Sequence, residues 1–312
     1  MHPSDTNDPG ELNDSGDPDV SGDPRDVTAD ALPAVLGVTG VHGLVGRALL
    51  RRLDRLGYRG VVVGLDVADG DGDDPLPAFV DFHRVDVTTP AATDLLAGCD
   101  AIVHCAYLLK PSRDPVAEAD TDLAMFARVV DACMLPGRRL SGDGPTQLVN
   151  LSSATVYGAY PNNPVPLGED APLRPNEGFV YAGCKAEIER RVVALRDAGQ
   201  LDDVVVTHLR PASVLGPNCR NYIATLLTSP RPVAVRGERP SMQFVHEDDV
   251  AGAIVHALAH RLEGAYNVAA PGWVTPDELD ALVGTGDATL RLPDDAFARL
   301  NRRLFSLGAS PL

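Results

Sequence analysis

Val38-Thr39-Gly40-Val41-His42-Gly43-Leu44-Val45-Gly46 is the stretch from which the rest of the chain is read. It lies between an apolar run, 34–39, and a run, 44–57, in which Leu44, Val45, Ala48, Leu49, Leu53 and Leu56 recur on one helical face. The reading is strand, tight turn, helix. Glycine at every third position lets the backbone turn sharply, lets a pyrophosphate approach the helix N-terminus, and lets that helix pack closely on a sheet. The spacing Gly40-x-x-Gly43-x-x-Gly46 differs from the better known G-x-G-x-x-G. Taken alone it also describes an ordinary strand-to-helix turn.

Working outward, 60–66 reads as a second strand ending in Asp66, whose carboxylate can accept hydrogen bonds from the adenosine ribose hydroxyls. A phosphate on that ribose would be repelled, and no arginine follows closely to compensate, so Asp66 favours NAD over NADP. The alternative is a turn residue opening the acidic loop 69–74. A third strand, 81–87, ends in Asp86-Val87, and 101–107 is a buried fourth strand running into a loop. Segment 116–135 reads as a long helix, 146–152 as a central fifth strand and 179–198 as a helix. A proline-rich stretch, 160–175, is placed to overhang a site. A sixth strand (204–209), a sheet-packing helix (249–262) and a last strand (265–269) follow, and the end of the chain holds one or two short helices.

Strands alternating with helices predict an α/β fold, a Rossmann-like doubly wound parallel sheet with a small C-terminal substrate domain. The expected division is a nucleotide domain at 31–216 and 245–270, and a substrate part at 217–244 and 271–312. Residues 1–30 hold nine acidic residues against Arg25 and read as a disordered acidic tail. A net charge of −17 disfavours nucleic acid and anionic membrane surfaces as partners. The sequence contains neither an apolar run near membrane-span length nor a basic-then-apolar N-terminus, so the expected location is cytoplasmic. The five cysteines are scattered without a C-x-x-C pair and read as reduced thiols, with no metal site.

Two downstream blocks sharpen the reading. Ser152-Ser153-Ala154-Thr155-Val156-Tyr157-Gly158 precedes Tyr181-Ala182-Gly183-Cys184-Lys185, where a tyrosine and a lysine stand four apart on a helix. In this order, and behind the glycine run, they resemble the extended short-chain dehydrogenase/reductase family, named for NAD-dependent epimerases and dehydratases, over residues 34–270. The resemblance implies NAD as cofactor and Ser153, Tyr181 and Lys185 as the catalytic group. A lysine ammonium one turn away is expected to draw the tyrosine hydroxyl, ordinarily near pKa ~10, toward the working range. Lys185 would also hold the nicotinamide ribose. Ser152 is the less favoured serine.

The resemblance further places the turn residues Gly40, His42, Gly43, Leu44, Val45 and Gly46 on the cofactor. Asp66, Asp86 and Val87 would lie at its adenosine end. His104-Cys105-Ala106-Tyr107 resembles a His-x-Ala-Ala signature, so Cys105, Ala106 and Tyr107 lie beside the cofactor, with Pro211 from the Arg210-Pro211 passage; Tyr107 departs from the last alanine. His104 reads as a hydrogen-bonded packing residue. The substrate would meet Tyr107, Ser153, Ala154, Thr155 and Ser213. Ala154-Thr155 replaces the Asp-Glu pair of sugar-nucleotide dehydratases and argues against 4,6-dehydration. Ser213 stands where epimerases keep asparagine, and Met242 where they keep a diphosphate-binding arginine; Arg231, Arg236 or Arg239 could substitute. The resulting expectation is an NAD-dependent oxidoreductase or epimerase acting on a small molecule as a homodimer. A nucleotide-sugar 4-epimerase with tightly held NAD is one alternative, and a non-catalytic NAD-sensing protein is another.

Overall fold

The computed structural model describes residues 27–70, 74–108, 114–135, 145–220, 222–228, 233–237, 241–283, 290–293, 295–297 and 299–300. In chain order the strands are β1 (Val35–Thr39), β2 (Val61–Asp66), β3 (Val80–Arg84), β4 (Ala101–His104), β5 (Thr146–Leu151), β6 (Val204–Pro211), β7 (Ser213–Leu215), β8 (Val233–Val235), β9 (Phe244–His246), β10 (Gly264–Val268) and β11 (Leu290–Leu292). The helices are α1 (Leu44–Arg55), α2 (Pro90–Leu96), α3 (Pro115–Met134), α4 (Val180–Asp197), α5 (Tyr222–Leu227), α6 (Glu247–His260) and α7 (Pro276–Val283).

Seven strands form one parallel sheet in the order β10-β6-β5-β4-β1-β2-β3. The order reverses between β1 and β4, so the crevice for a ligand opens at the C-terminal ends of these strands. Alternation along the strands divides the core. Val103, Val149 and Leu209 join Leu49 of α1 and Ile254 of α6 in one cluster, while Ile102, Leu148 and Val206 join Phe126 of α3 and Ile188 of α4 in another. Both faces are therefore covered, as a parallel sheet requires.

The doubly wound sheet matches the expectation from sequence, with two local differences. β3 stops at Arg84 instead of running to residue 87. The carboxylate Oδ1 of Asp86 accepts from the N–H and hydroxyl of Thr88, which curls the chain into a turn. Helix α2 fills the next crossover, opened by Thr89 and Pro90. At the end of the segment read as an acidic tail, Val27 is 7 % exposed and packs in the α1/α6-side cluster. Residues 1–26 lie outside the described residues.

Beyond the main sheet, β7 pairs with β9, and β8 pairs with β11. The second pair draws together the two segments, 217–244 and 271–312, read as the substrate part. Among the described residues, all five cysteines are free, no group of His, Cys, Asp or Glu is arranged to hold a metal, and no helix is long and apolar enough to cross a membrane.

Candidate active site

The glycine turn has the geometry its spacing predicts. Gly40 has φ +69°, and a Cβ there would stand 2.9 Å from the Ala106 backbone, so the turn is held against the loop after β4. A Cβ on Gly46 would come within 2.3 Å of the Gly40 carbonyl oxygen and 2.9 Å of the Val41 Cα. Backbone cannot step aside as a flexible side chain can. Gly46→Ala is therefore expected to cost about 1–3 kcal/mol of stability, read as a lowered melting temperature. Gly43 caps α1 without a side-chain hydrogen bond, which leaves the first-turn N–H groups at Leu44 and Val45 free of a local cap. The Val45 side chain itself is buried.

At the end of β2, Asp66 Oδ2 accepts from the His42 N–H at 3.0 Å, while Oδ1 accepts from Val67 and Ala68. The turn reading describes this residue, and the His42 N–H also holds its carboxylate against the glycine loop. Arg84 was invisible as a neighbour in sequence, yet it lies opposite Asp66 in the β2–β3 register; its guanidinium bonds the Val67 carbonyl and Asp69. Val87 is 3 % exposed and packs in the α3/α4-side core, and Asp86 Oδ1 is engaged in its own turn.

Ser153, Tyr181 and Lys185 converge where β5 meets α4. Ser153 caps the short 3₁₀ turn Ala154–Tyr157, and its Oγ accepts from the Thr155 N–H (3.2 Å) and hydroxyl (2.9 Å). The Ser153 hydroxyl lies on the side of Tyr181, where it favours the phenolate. Burial pushes Tyr181 up to about 12, opposed by the Ser153 hydroxyl and reinforced by Asp122 and Cys184; Lys185 is not among the groups that set this shift. Lys185 is 2 % exposed; Nζ donates to the Leu151 carbonyl at 2.6 Å and sits 5.6 Å from the Tyr181 ring centroid. Burial drives its ammonium well below the ordinary lysine range, opposed by Asp122, which is itself buried on α3 and accepts from the Leu108 N–H.

The two serines separate cleanly. Ser152 donates to Glu189 Oε1 at 2.5 Å, away from Tyr181. Glu189 stands one turn beyond Lys185 and forms a buried ion pair with Arg210, whose Nη2 reaches Oε2 at 2.6 Å. Burial pushes the Glu189 carboxyl up, but hydrogen bonds from Arg210 and Ser152 and the neighbouring positive charge hold it below the usual carboxylate range. Arg210 Nη1 also donates to the Tyr157 hydroxyl, which donates to Asn267 Oδ1; Asn267 binds the Leu167 carbonyl and Glu169 carboxylate of the proline-rich stretch. None of Glu189, Tyr157 or Asn267 was named as a site residue from sequence. A carboxylate at i+4 after a lysine is the signal present for Glu189, but its arginine partner comes from another strand.

The loop after β4 is tied to the end of β1. The Cys105 N–H donates to the Thr39 carbonyl and its thiol is pushed up to about 12 by burial; the Ala106 N–H donates to the Thr39 hydroxyl. Tyr107, expected against cofactor and substrate, turns its hydroxyl inward to Asn150 Oδ1 at 2.5 Å. His104 is fully buried with Nδ1 on the Thr39 hydroxyl at 2.7 Å; burial lowers it to about 3, as suits a packing residue held neutral. Pro211 ends β6, and Ser213 opens β7 opposite Phe244. Met242 forms an antiparallel bridge with Val274, and Arg236 is exposed; Arg231 and Arg239 lie outside the described residues.

Residues 36–269 match the NAD dependent epimerase/dehydratase family. The chain belongs to that family. Among its relatives is an uncharacterized protein of Mycobacterium tuberculosis, 27% identical over 244 residues, covering 77% of this chain and 63% of that protein. The chain thus spans under two thirds of the length of such curated relatives. Among solved structures, the UDP-glucose 4-epimerase of Thermus thermophilus, in complex with NAD, is 25% identical with a TM-score of 0.66, over 83% of this chain and 86% of that one. The UDP-N-acetylglucosamine 4-epimerase of Methanobrevibacter ruminantium, 21% identical with a TM-score of 0.67 over 83% and 85% of the two chains, shares the fold. An epimerase/dehydratase-family sheet thus explains why the polar cluster gathers at the C-terminal edge of β5 and β6.

Proposed function

We propose that the chain is an NAD-dependent oxidoreductase or epimerase that works at a secondary alcohol or ketone through Ser153, Tyr181 and Lys185. The observation carrying this reading is the placement of the Lys185 ammonium 5.6 Å from the Tyr181 ring centroid, one helical turn away and bonded to the Leu151 carbonyl at the end of the strand that leads to Ser153. The residues present fit the cofactor. The uncapped first turn of α1 suits a pyrophosphate, and Gly43 adds no Cβ there. Asp66, held by the His42 N–H, suits the adenosine ribose diol. Lys185 has three N–H donors; one goes to Leu151 and the ammonium also faces the Tyr107 ring, leaving one for the nicotinamide ribose.

When bound, NAD supplies the carbon that accepts or returns a hydride. The chain supplies the proton chemistry. Ser153, steadied by Thr155, holds the substrate oxygen. Tyr181 removes the proton of an alcohol during oxidation or gives it to a ketone during reduction. Lys185 and the oxidised nicotinamide favour the phenolate by their positive charge, against the burial that raises it.

A nucleotide-sugar 4-epimerase is the second reading, favoured by the likeness to the Thermus UDP-glucose 4-epimerase. In that case oxidation is transient and one cofactor stays bound through the cycle. Met242 weighs against it, because a thioether offers no charged contact to a diphosphate. We also carry forward a cytoplasmic homodimer, for which exposed Val116 on α3, and Val193 on α4, supply apolar surface.

The deciding experiment is mass spectrometry of nicotinamide released by denaturing the purified protein. Near-stoichiometric NAD supports the epimerase cycle and directs assays to sugar nucleotides. An empty protein that binds added NADH supports a dissociable dehydrogenase, to be assayed on a carbonyl panel. Binding of neither nicotinamide overturns the reading of Gly40, Gly43, Gly46 and Asp66.

A further inference from the structure

Four polar residues occupy one rung across four adjacent strands. In the parallel register Thr39 of β1 faces His104 of β4, His104 faces Asn150 of β5, and Asn150 faces His208 of β6. Each follows by two positions along its strand a residue of the α3/α4-side face, so the row lies beneath those helices. All four are buried, and they pair among themselves: Thr39 with His104 at 2.7 Å, and Asn150 Nδ2 with His208 Nδ1 at 2.9 Å. Polar side chains buried on an otherwise apolar sheet face are costly unless hydrogen-bonded.

A further hydrogen-bond partner of the row is Tyr107. Its hydroxyl donates to Asn150, its ring meets the His104 ring edge-on with centroids 4.7 Å apart, and Lys185 Nζ lies 2.6 Å from its centroid. We propose that Tyr107 is a positioning residue that seats the Lys185 ammonium on its ring face, and that Asn150, backed by His208, holds the ring there. The Leu151 carbonyl supplies the other wall of the seat. A ring face stabilises a desolvated cation, so this tyrosine counters the burial that would strip Lys185 of its proton. Alanine, the residue expected at this place in the sequence signature, could not do so.

The other groups facing Lys185 are Asp122 on α3, Cys184, Glu189 and Tyr181 on α4, Cys105 and His104 around the end of β4, and His208 on β6. His104 and His208 are held neutral by burial, at about 3 and about 4. Asp122 and Glu189 are common to every variant below, so a change can be ascribed to the ring.

The seating of Lys185 is independent of the reaction, whereas its catalytic consequence rests on the hydride-transfer reading above. The chain has two lysines, Lys110 and Lys185, so full-length protein labelled with ε-13C lysine gives two side-chain signals, assigned with Lys110→Arg. The Lys185 signal is expected to show an upfield ring-current shift, retained in Tyr107→Phe and lost in Tyr107→Leu. Its titration midpoint is expected to fall by about one pH unit in Tyr107→Leu, where apolar volume remains but the ring face is gone. In alcohol oxidation the alkaline-rising limb should then move to higher pH, because a less charged Lys185 supports the phenolate less; Tyr107→Phe should keep the wild-type limb. No ring-current shift in wild type, or an unmoved midpoint in folded Tyr107→Leu, overturns the proposal. If Tyr107→Leu does not fold, the wild-type shift alone decides. The expected NMR behaviour in a protein without turnover on any substrate sustains the seat and overturns the hydride-transfer reading instead.

Discussion

Tyr181→Phe is expected to lower turnover by about 10²–10⁴-fold while nicotinamide binding persists, the loss typical of removing a positioned acid/base. Phenylalanine keeps the ring, so packing on Phe179, at 5.9 Å between centroids, is preserved and the hydroxyl alone is subtracted. Cofactor titration and steady-state kinetics on one preparation separate the two effects. Loss of turnover with binding retained supports the enzyme. Unchanged turnover removes Tyr181 from the reaction, and a protein that binds NAD but never turns over, wild type included, fits the sensing alternative. The same hydroxyl shapes the pH dependence. Burial pushes Tyr181 up to about 12, so oxidation, which needs the phenolate, should gain rate as pH rises toward that range, and reduction, which needs the phenol, should lose rate.

Arg210→Met is expected to be the most destabilising single change discussed for this chain. Arg210 and Glu189 are 6% and 4% exposed, and removing the guanidinium would leave a bare carboxylate among buried groups. Breaking such a pair costs about 3–5 kcal/mol, or roughly 10 °C in melting temperature for a chain of this size. Arg210→Met combined with Glu189→Leu should recover much of that loss, since no uncompensated charge remains. Thermal unfolding of the single and double variants checks both. A single variant that melts with wild type would mean that the pair contributes nothing to the fold. In the wild type, Glu189 is held below the usual carboxylate range when folded, so its contribution is present above its unfolded pKa. It fades as pH falls through the lower folded value.

Much of the fold was legible because it rests on local signals. Gly40, Gly43 and Gly46 announce a turn that side chains would obstruct, alternation of apolar runs announces strands covered on both faces, and Tyr181 and Lys185 four apart announce a shared helix face. Less legible were segments whose conformation depends on a contact. Val27 joined the core because apolar neighbours were waiting for it, and β3 ended at Arg84 because Asp86 found hydrogen bonds in its own turn. Tyr107 is placed beside the cofactor by its motif, but that its hydroxyl bonds Asn150 and its ring faces Lys185 depends on contacts with other strands and helices.

By itself, then, the sequence determined the strands and helices of the doubly wound sheet, the placing of Tyr181 and Lys185 on one helix face and the identity of the glycines at the turn. These depend on residues within one or two helical turns or one strand of each other, where covalent geometry settles who can meet whom. Only the tertiary structure decided that Ser152 is spent on Glu189, that Arg84 lies beside Asp66, that Glu189 finds Arg210, and that Thr39, His104, Asn150 and His208 form a single rung. Those meetings are set by strand register and by the depth at which α4 packs. One residue of slip would send each strand's side chain to the opposite face.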